Sequence, residues 1–370
     1  MTTATPHEAP RRPAWEPKVN VKEEPMRRRR FIAAVVSATG AGLVPASLAD
    51  AAVQAPDRLN GSVTLPTAIE DIAADIWRTG ARYVDPESAP ARADLLDVGL
   101  WQWAQACVAA NRTNKSRGPN LHRRALAVEA EAARQLAMIY GDRRNFTQAT
   151  KMYRLATGAA QRAENPELAA TILTGRAYLP LYAGNHDRAI SNATVALTTL
   201  QEADRPGGRA AVTAYALLAR CYAAIGDTKS TEEALRSAYG AMARYTDAGS
   251  ASLPAAHHPQ RFAWVKLRLA TAEAYAALGD ARRHAKAYDA AMSDTSVSQM
   301  HKPMLDMGLA EVTTDPGAAA AHALTVLRGW ERPPNPIVGR ARNLAWRAAD
   351  RDPRSEPVQD LRVHLLTLAR

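Results

Sequence analysis

The chain of 370 residues and 39.9 kDa is 47% hydrophobic, 23% charged and 6% aromatic. That is enough apolar mass for one large or two ordinary domains, which excludes a stapled miniprotein and a wholly disordered chain. The two cysteines, Cys107 and Cys221, form no close pair, so a disulfide framework and a cysteine zinc site are excluded as well. The net charge is +10, from 47 Lys+Arg against 37 Asp+Glu. Residues 1–30 alone hold eight basic and four acidic groups, which leaves +6 for the other 340 residues, a weak electrostatic argument for nucleic acid.

Residues 1–25 are rich in Pro, Glu, Lys and Arg and nearly free of apolar side chains, the composition of a segment that cannot bury enough surface to fold. Arg27-Arg28-Arg29-Arg30 follows, and then residues 31–49 run without a charge, interrupted by Gly40, Gly42 and Pro45. This apolar run has two readings. Ahead of the small-residue pattern Ala49-Asp50-Ala51 it resembles a secretory signal, with Arg28-Arg29-Arg30-Phe31-Ile32 resembling a twin-arginine consensus; it also reads as a linker helix. Its length sits at the lower limit for a spanning helix and its Gly and Pro weaken it, so a permanent membrane anchor is not expected. The expected organisation is a leader over residues 1–57 and one array over residues 58–370.

From Thr67 the chain reads helical almost throughout, with apolar residues at three- and four-residue spacing and no convincing strand. Pro- and Gly-bearing patches at 84–88, 111–120, 204–208, 247–260 and 332–336 are expected to be loops. The helical stretches align on their turns. Leu218-Ala219, Tyr222, Gly226-Asp227, Leu235 and Ala238 recur at the same offsets as Thr271-Ala272, Tyr275, Gly279-Asp280, Tyr288 and Ala291. Earlier copies contain Ala177, Gly184-Asn185, Ala189, Ala193 and Ala196, and Leu136-Ala137, Tyr140, Asn145-Phe146, Ala149, Tyr153 and Ala156. The spacing predicts a helix, a tight turn in which glycine takes the left-handed conformation, and a second helix capped by Asp or Asn. The pattern is that of tetratricopeptide-like repeats, so the expected fold is all-α: a helical-hairpin solenoid wound as a right-handed superhelix. Degenerate pairs are expected to extend the array over 95–110, 304–330 and 340–368.

Phosphate-loop, dinucleotide, zinc-protease and serine-hydrolase signatures are absent from the sequence. His257-His258 sits in a Ser/Pro/Ala loop without a nearby carboxylate and reads as a plain loop pair. His284 and His322 read as surface or packing residues, Cys221 as a small buried one, and Glu129 and Glu131, two apart, as facing different sides of a helix. No catalytic residue, metal ligand or cofactor is expected, and the chain reads as a non-enzyme. Function is expected in the concave groove lined by the first helix of each pair, where the repeat register places Arg134, Tyr178, Tyr182, Arg220 and Glu273. Such a mixed cationic and aromatic lining suits a peptide or protein segment. Arg220→Glu is expected to weaken partner binding without unfolding the array.

Three features carry a family resemblance: Arg29-Arg30-Phe31-Ile32-Ala33-Ala34 ahead of the array, the Tyr-Ala-Ala-Leu-Gly-Asp turn at 275–280, and the charged final helix at 357–362. In this organisation residues 27–370 resemble the C-terminal tetratricopeptide region of actinobacterial Xre-type helix-turn-helix transcriptional regulators. The resemblance implies a cytoplasmic regulatory protein and an apolar stretch that is a linker helix; the expected partners are a peptide or protein ligand and a second copy of the chain in a homodimer. Residues 1–26 are too short and too polar for a helix-turn-helix domain, so direct DNA binding is not expected. The alternative is a repeat scaffold exported by the twin-arginine pathway, with cleavage after Ala51.

Overall fold

The computed structural model describes residues 119–205, 207–245, 259–293, 301–330, 333 and 335–368, together with residue 73. The chain divides into two units, Met1–Thr64 and Leu65–Arg370, and every described residue belongs to the second. The readings made for the leader, for residues 84–88 and 95–110, for Cys107 and for His257-His258 lie outside the described residues.

The described part is all-helical. The helices are α1 (Pro119–Asp142), α2 (Phe146–Arg162), α3 (Pro166–Tyr182), α4 (His186–Glu202), α5 (Arg209–Ala224) and α6 (Thr228–Ala243). They continue with α7 (Pro259–Ala277), α8 (Ala281–Met292), α9 (His301–Val312), α10 (Pro316–Arg328), α11 (Asn335–Arg351) and α12 (Glu356–Thr367). Among the described residues there is no strand and no helix long and apolar enough to cross a membrane. Helices α1, α7 and α11 begin inside stretches expected to be loops. Proline explains the difference, because Pro119, Pro259 and Pro336 stand at the first or second helical position, where the missing N–H would have had no partner.

One joint recurs between helices. At Gly184, Gly226 and Gly279 φ is 76°, 78° and 72°, and the next residue caps the following helix. Asn185, Asp227 and Asp280 accept from the N–H of Arg188, Ser230 and Arg283 at 3.1, 2.9 and 2.9 Å. The same joint occurs without glycine. Arg144, Glu164 and Asp204 take φ of 60°, 53° and 53°, and Asn145 and Asn165 cap as the others do, at 3.2 and 3.0 Å. The joint therefore links pairs to one another as well as the two helices within a pair. Helix α5 has no cap of its own, and Glu167 on α3 supplies one by accepting from the Ala210 N–H at 3.3 Å.

Packing sorts the helices into two sets. Each odd-numbered helix packs on the next odd-numbered one, from α1 through α11, while most even-numbered helices pack chiefly on their flanking odd neighbours. Helix α11 also touches α1 and α3. Alanine makes the close approaches possible: Ala189, Ala193 and Ala196 on α4 and Ala210 and Ala214 on α5 are wholly buried. Apolar clusters run in succession over α1–α3, α3–α7 and α7–α12.

Candidate functional site

The five residues singled out in the sequence fall on α1, α3, α5 and α7, and four of them meet. Tyr178 and Tyr182, one turn apart on α3, stack with ring centroids 5.7 Å apart and planes at 28°. Arg220 on α5 lies over both rings, 5.3 Å from the first centroid and 5.6 Å from the second. Its Nη2 donates to the Tyr182 hydroxyl at 3.5 Å, and its Nε faces Oε2 of Glu273 on α7 at 2.8 Å. Arg134 sits apart: its guanidinium forks onto Glu131 of its own helix at 2.6 and 2.8 Å and reaches Met138 Sδ at 2.9 Å.

Glu273 is 5% exposed and serves two arginines. The second is Arg340 on α11, whose Nη1 donates to Glu273 Oε1 at 2.9 Å and to the Met304 carbonyl at 2.8 Å. The same guanidinium forks onto Glu311 of α9, at 2.9 and 2.7 Å. The pairs thus form one network, aromatic on α3 and ionic across α5, α7, α9 and α11. Below it His284 is fully buried and donates from Nδ1 to the Ala272 carbonyl at 2.9 Å. Gly308 makes room there, since a Cβ would stand 2.6 Å from His284 Cε1.

Desolvation and pairing compete in this network. Burial works against the charge of Arg220, but Glu273 outweighs it and leaves the guanidinium more strongly basic than usual. Arg340 follows the same logic with Glu311. Burial raises the carboxyl of Glu131, and Arg134 more than offsets it, holding the group below the ordinary carboxylate range. Lys266, two turns before Glu273 on α7, is pulled down by burial and partly restored by that carboxylate. The Tyr182 phenol is driven up by burial, so it stays protonated and keeps a hydroxyl to donate.

The charges of the arrangement are matched inside the protein, and what it offers a ligand is two aromatic rings, a hydroxyl and an oriented guanidinium. Cys221, beside Arg220, has a thiol that burial pushes up to about 12, the inert packing residue expected of it. Among the described residues no group of three or more His, Cys, Asp or Glu could hold a metal ion. Glu129 and Glu131 do face different partners, Arg162 at 3.8 Å and Arg134 at 2.6 Å. The pairing of Arg220 alters one expectation. Glu at this position would set two buried carboxylates side by side, so Arg220→Glu perturbs folding as well as the face.

Sequence reasoning missed Arg340, Glu311 and Lys266. The seven-residue interval from Lys266 to Glu273 places both on one helical face and was a usable signal. Arg340 and Glu311 lie on helices without the Gly-Asp joint, and the register did not reach them.

No protein-family model and no curated protein matches the chain. Among solved structures, it is similar to that titled "Crystal structure of BtubC (BKLC) from P. vanneervenii", at 17% identity and a TM-score of 0.35. The alignment covers 63% of this chain and 91% of that one.

Proposed function

We propose that the chain is a non-enzymatic tetratricopeptide-like repeat protein, its helical pairs wound as a right-handed superhelix, that captures a peptide or protein segment on the face of the odd-numbered helices. The role is regulatory and linked to transcription through a companion DNA-binding protein, in the cytoplasm, and capture involves no covalent step. The observation that supports this reading is the convergence of Tyr178, Tyr182, Arg220 and Glu273 from three different helices. Aromatic rings beside an oriented guanidinium are the side chains that dominate protein–protein contacts. The recurring Gly-Asp and Gly-Asn joint supports the repeat assignment.

The test is capture of the native partner by the full chain and by Tyr182→Ala, which removes a ring without leaving a buried charge unpaired. Tyr182→Ala is expected to weaken binding at least about tenfold, roughly 1.4 kcal/mol. Arg188→Ala, at an exposed position of α4, is expected to change nothing. Equal affinity of Tyr182→Ala and the native chain in calorimetry would remove the face from consideration.

A further inference from the structure

Helices α11 and α12 leave an apolar surface open. Among the described residues the three most exposed large hydrophobic side chains are Leu366, Trp346 and Val363, at 68%, 65% and 60%, and all three lie on these two helices. A helical array ordinarily ends on a polar outer face, because nothing further packs on it. Bare apolar groups gathered there mark a surface that is covered in the working protein. Both helices bury one side against α10: Leu344, Ala345 and Ala348 of α11 and Val358, Leu361 and Leu365 of α12 share an apolar cluster with Leu324 and Leu327. Their exposed stripes therefore lie together on the outer side. On α11 the stripe holds Trp346, Arg347 and Arg351, and on α12 Glu356, Asp360, Val363 and Leu366. Gly339, where a Cβ would stand 3.8 Å from the Tyr182 carbonyl oxygen, lies two turns before Trp346 and leaves this half of α11 clear of α3.

The charges of the two stripes say what covers them. The joint at 352–355 turns the chain back on itself. Counting outward from it, at about 1.5 Å per residue in each helix, sets Arg351 level with Glu356, Arg347 with Asp360 and Trp346 with Val363, with Leu366 one turn beyond. We propose that the outer side of α11 and α12 docks on the same side of a second copy of this chain. A two-fold axis running along the pair lays α11 of one copy over α12 of the other without changing any residue's level. Cation then meets carboxylate, Trp346 meets Val363 and Leu366, and each contact occurs twice. The four helices form an antiparallel bundle. Asp350 is level with Gln359, whose amide donates to it, and Arg362 with Trp346, whose ring accepts a cation. A wholly acidic or wholly basic partner would match only one of the two helices, whereas a second copy matches both. None of these residues belongs to the Tyr178–Tyr182–Arg220 face.

Sedimentation equilibrium of the full chain is expected to give twice its mass of 39.9 kDa. Trp346→Ala is expected to raise the dimer dissociation constant at least about tenfold. Arg347→Glu and Asp360→Arg, both at exposed positions where the fold is not at stake, each set like charges against one another and are expected to raise it about tenfold as well. An equal mixture of these two variants is expected to return to within about threefold of the native constant, because reversed charges meet across one half of the interface and native charges across the other. An ion pair within one chain cannot produce that recovery, since each chain carries a single reversal. A species that stays at 39.9 kDa up to about 100 µM overturns the proposal and leaves the surface to a different protein. A dimer indifferent to Trp346→Ala, or a mixture that recovers nothing, overturns it too.

Discussion

Asp204 holds a φ of 53° at a position where three other joints carry glycine. A non-glycine residue in the left-handed region costs on the order of 1 kcal/mol, so Asp204→Gly is expected to stabilise the fold. Glycine's greater freedom in the unfolded chain offsets part of the gain, and the net should be up to about 0.5–1 kcal/mol in urea unfolding. Asp204 is the informative choice because Glu164 also pairs with Arg123 at 2.9 Å. These joints were only half legible. Sequence alignment on Gly-Asp and Gly-Asn found the glycines and, at Asn145, the cap, but Arg144, Glu164 and Asp204 carry side chains that ordinarily argue against such a turn.

His301 makes a second residue-scale argument. It is 4% exposed, and burial, with Lys266 adding to it, pushes its imidazole from the ordinary 6.5 down to about 3. The unfolded chain takes up a proton near pH 6.5 that the folded chain refuses. Stability is therefore complete above that pH and falls as acid is added, by at most about 1.4 kcal/mol per pH unit, until the folded imidazole protonates near pH 3. His301→Gln is expected to flatten the decline between pH 6 and 4 by about one proton, measured as unfolding free energy against pH.

Arg340 decides how three helices meet. Its fork on Glu311 and its bond to Glu273 join α11 to α9 and α7, and removing the cation strands the desolvated carboxylate of Glu311 and leaves Glu273 to Arg220 alone. Arg340→Gln is expected to destabilise the chain by about 3 kcal/mol. Arg340→Lys, which keeps the charge but not the fork, should lose less. Chemical unfolding of the two variants measures the difference. No local feature announces this role. The partners of Arg340 lie 29 and 67 residues away, and its neighbours Gly339 and Ala341 resemble any helical stretch. The helices themselves were readable, since three- and four-residue spacing and small alanines carry through the backbone. Pairing between distant helices follows from tertiary geometry, which periodicity does not encode.

For the molecule as a whole, the all-helical class was legible in the absence of alternating β-branched runs, and the convergence of Tyr178, Tyr182, Arg220 and Glu273 followed from the repeat register. Arg134 did not join them because Glu131, one turn earlier on its own helix, takes its guanidinium. The recurring joint has one more consequence. Positions 144, 164 and 184 all adopt it, 20 residues apart and each followed by an asparagine cap, so from α1 to α4 each helix is joined to the next alike and no turn marks a helix as odd or even. The chain must solve a problem of parity. A slip by one helix during folding would keep these three joints intact, yet it would carry exposed cations such as Arg154 and Arg188 into the row. It would also send Arg220 and Glu273 out to water, where an ion pair is worth little. The buried network therefore discriminates between two otherwise equivalent phases of the same array, a task for which its unfavourable desolvation is the useful property.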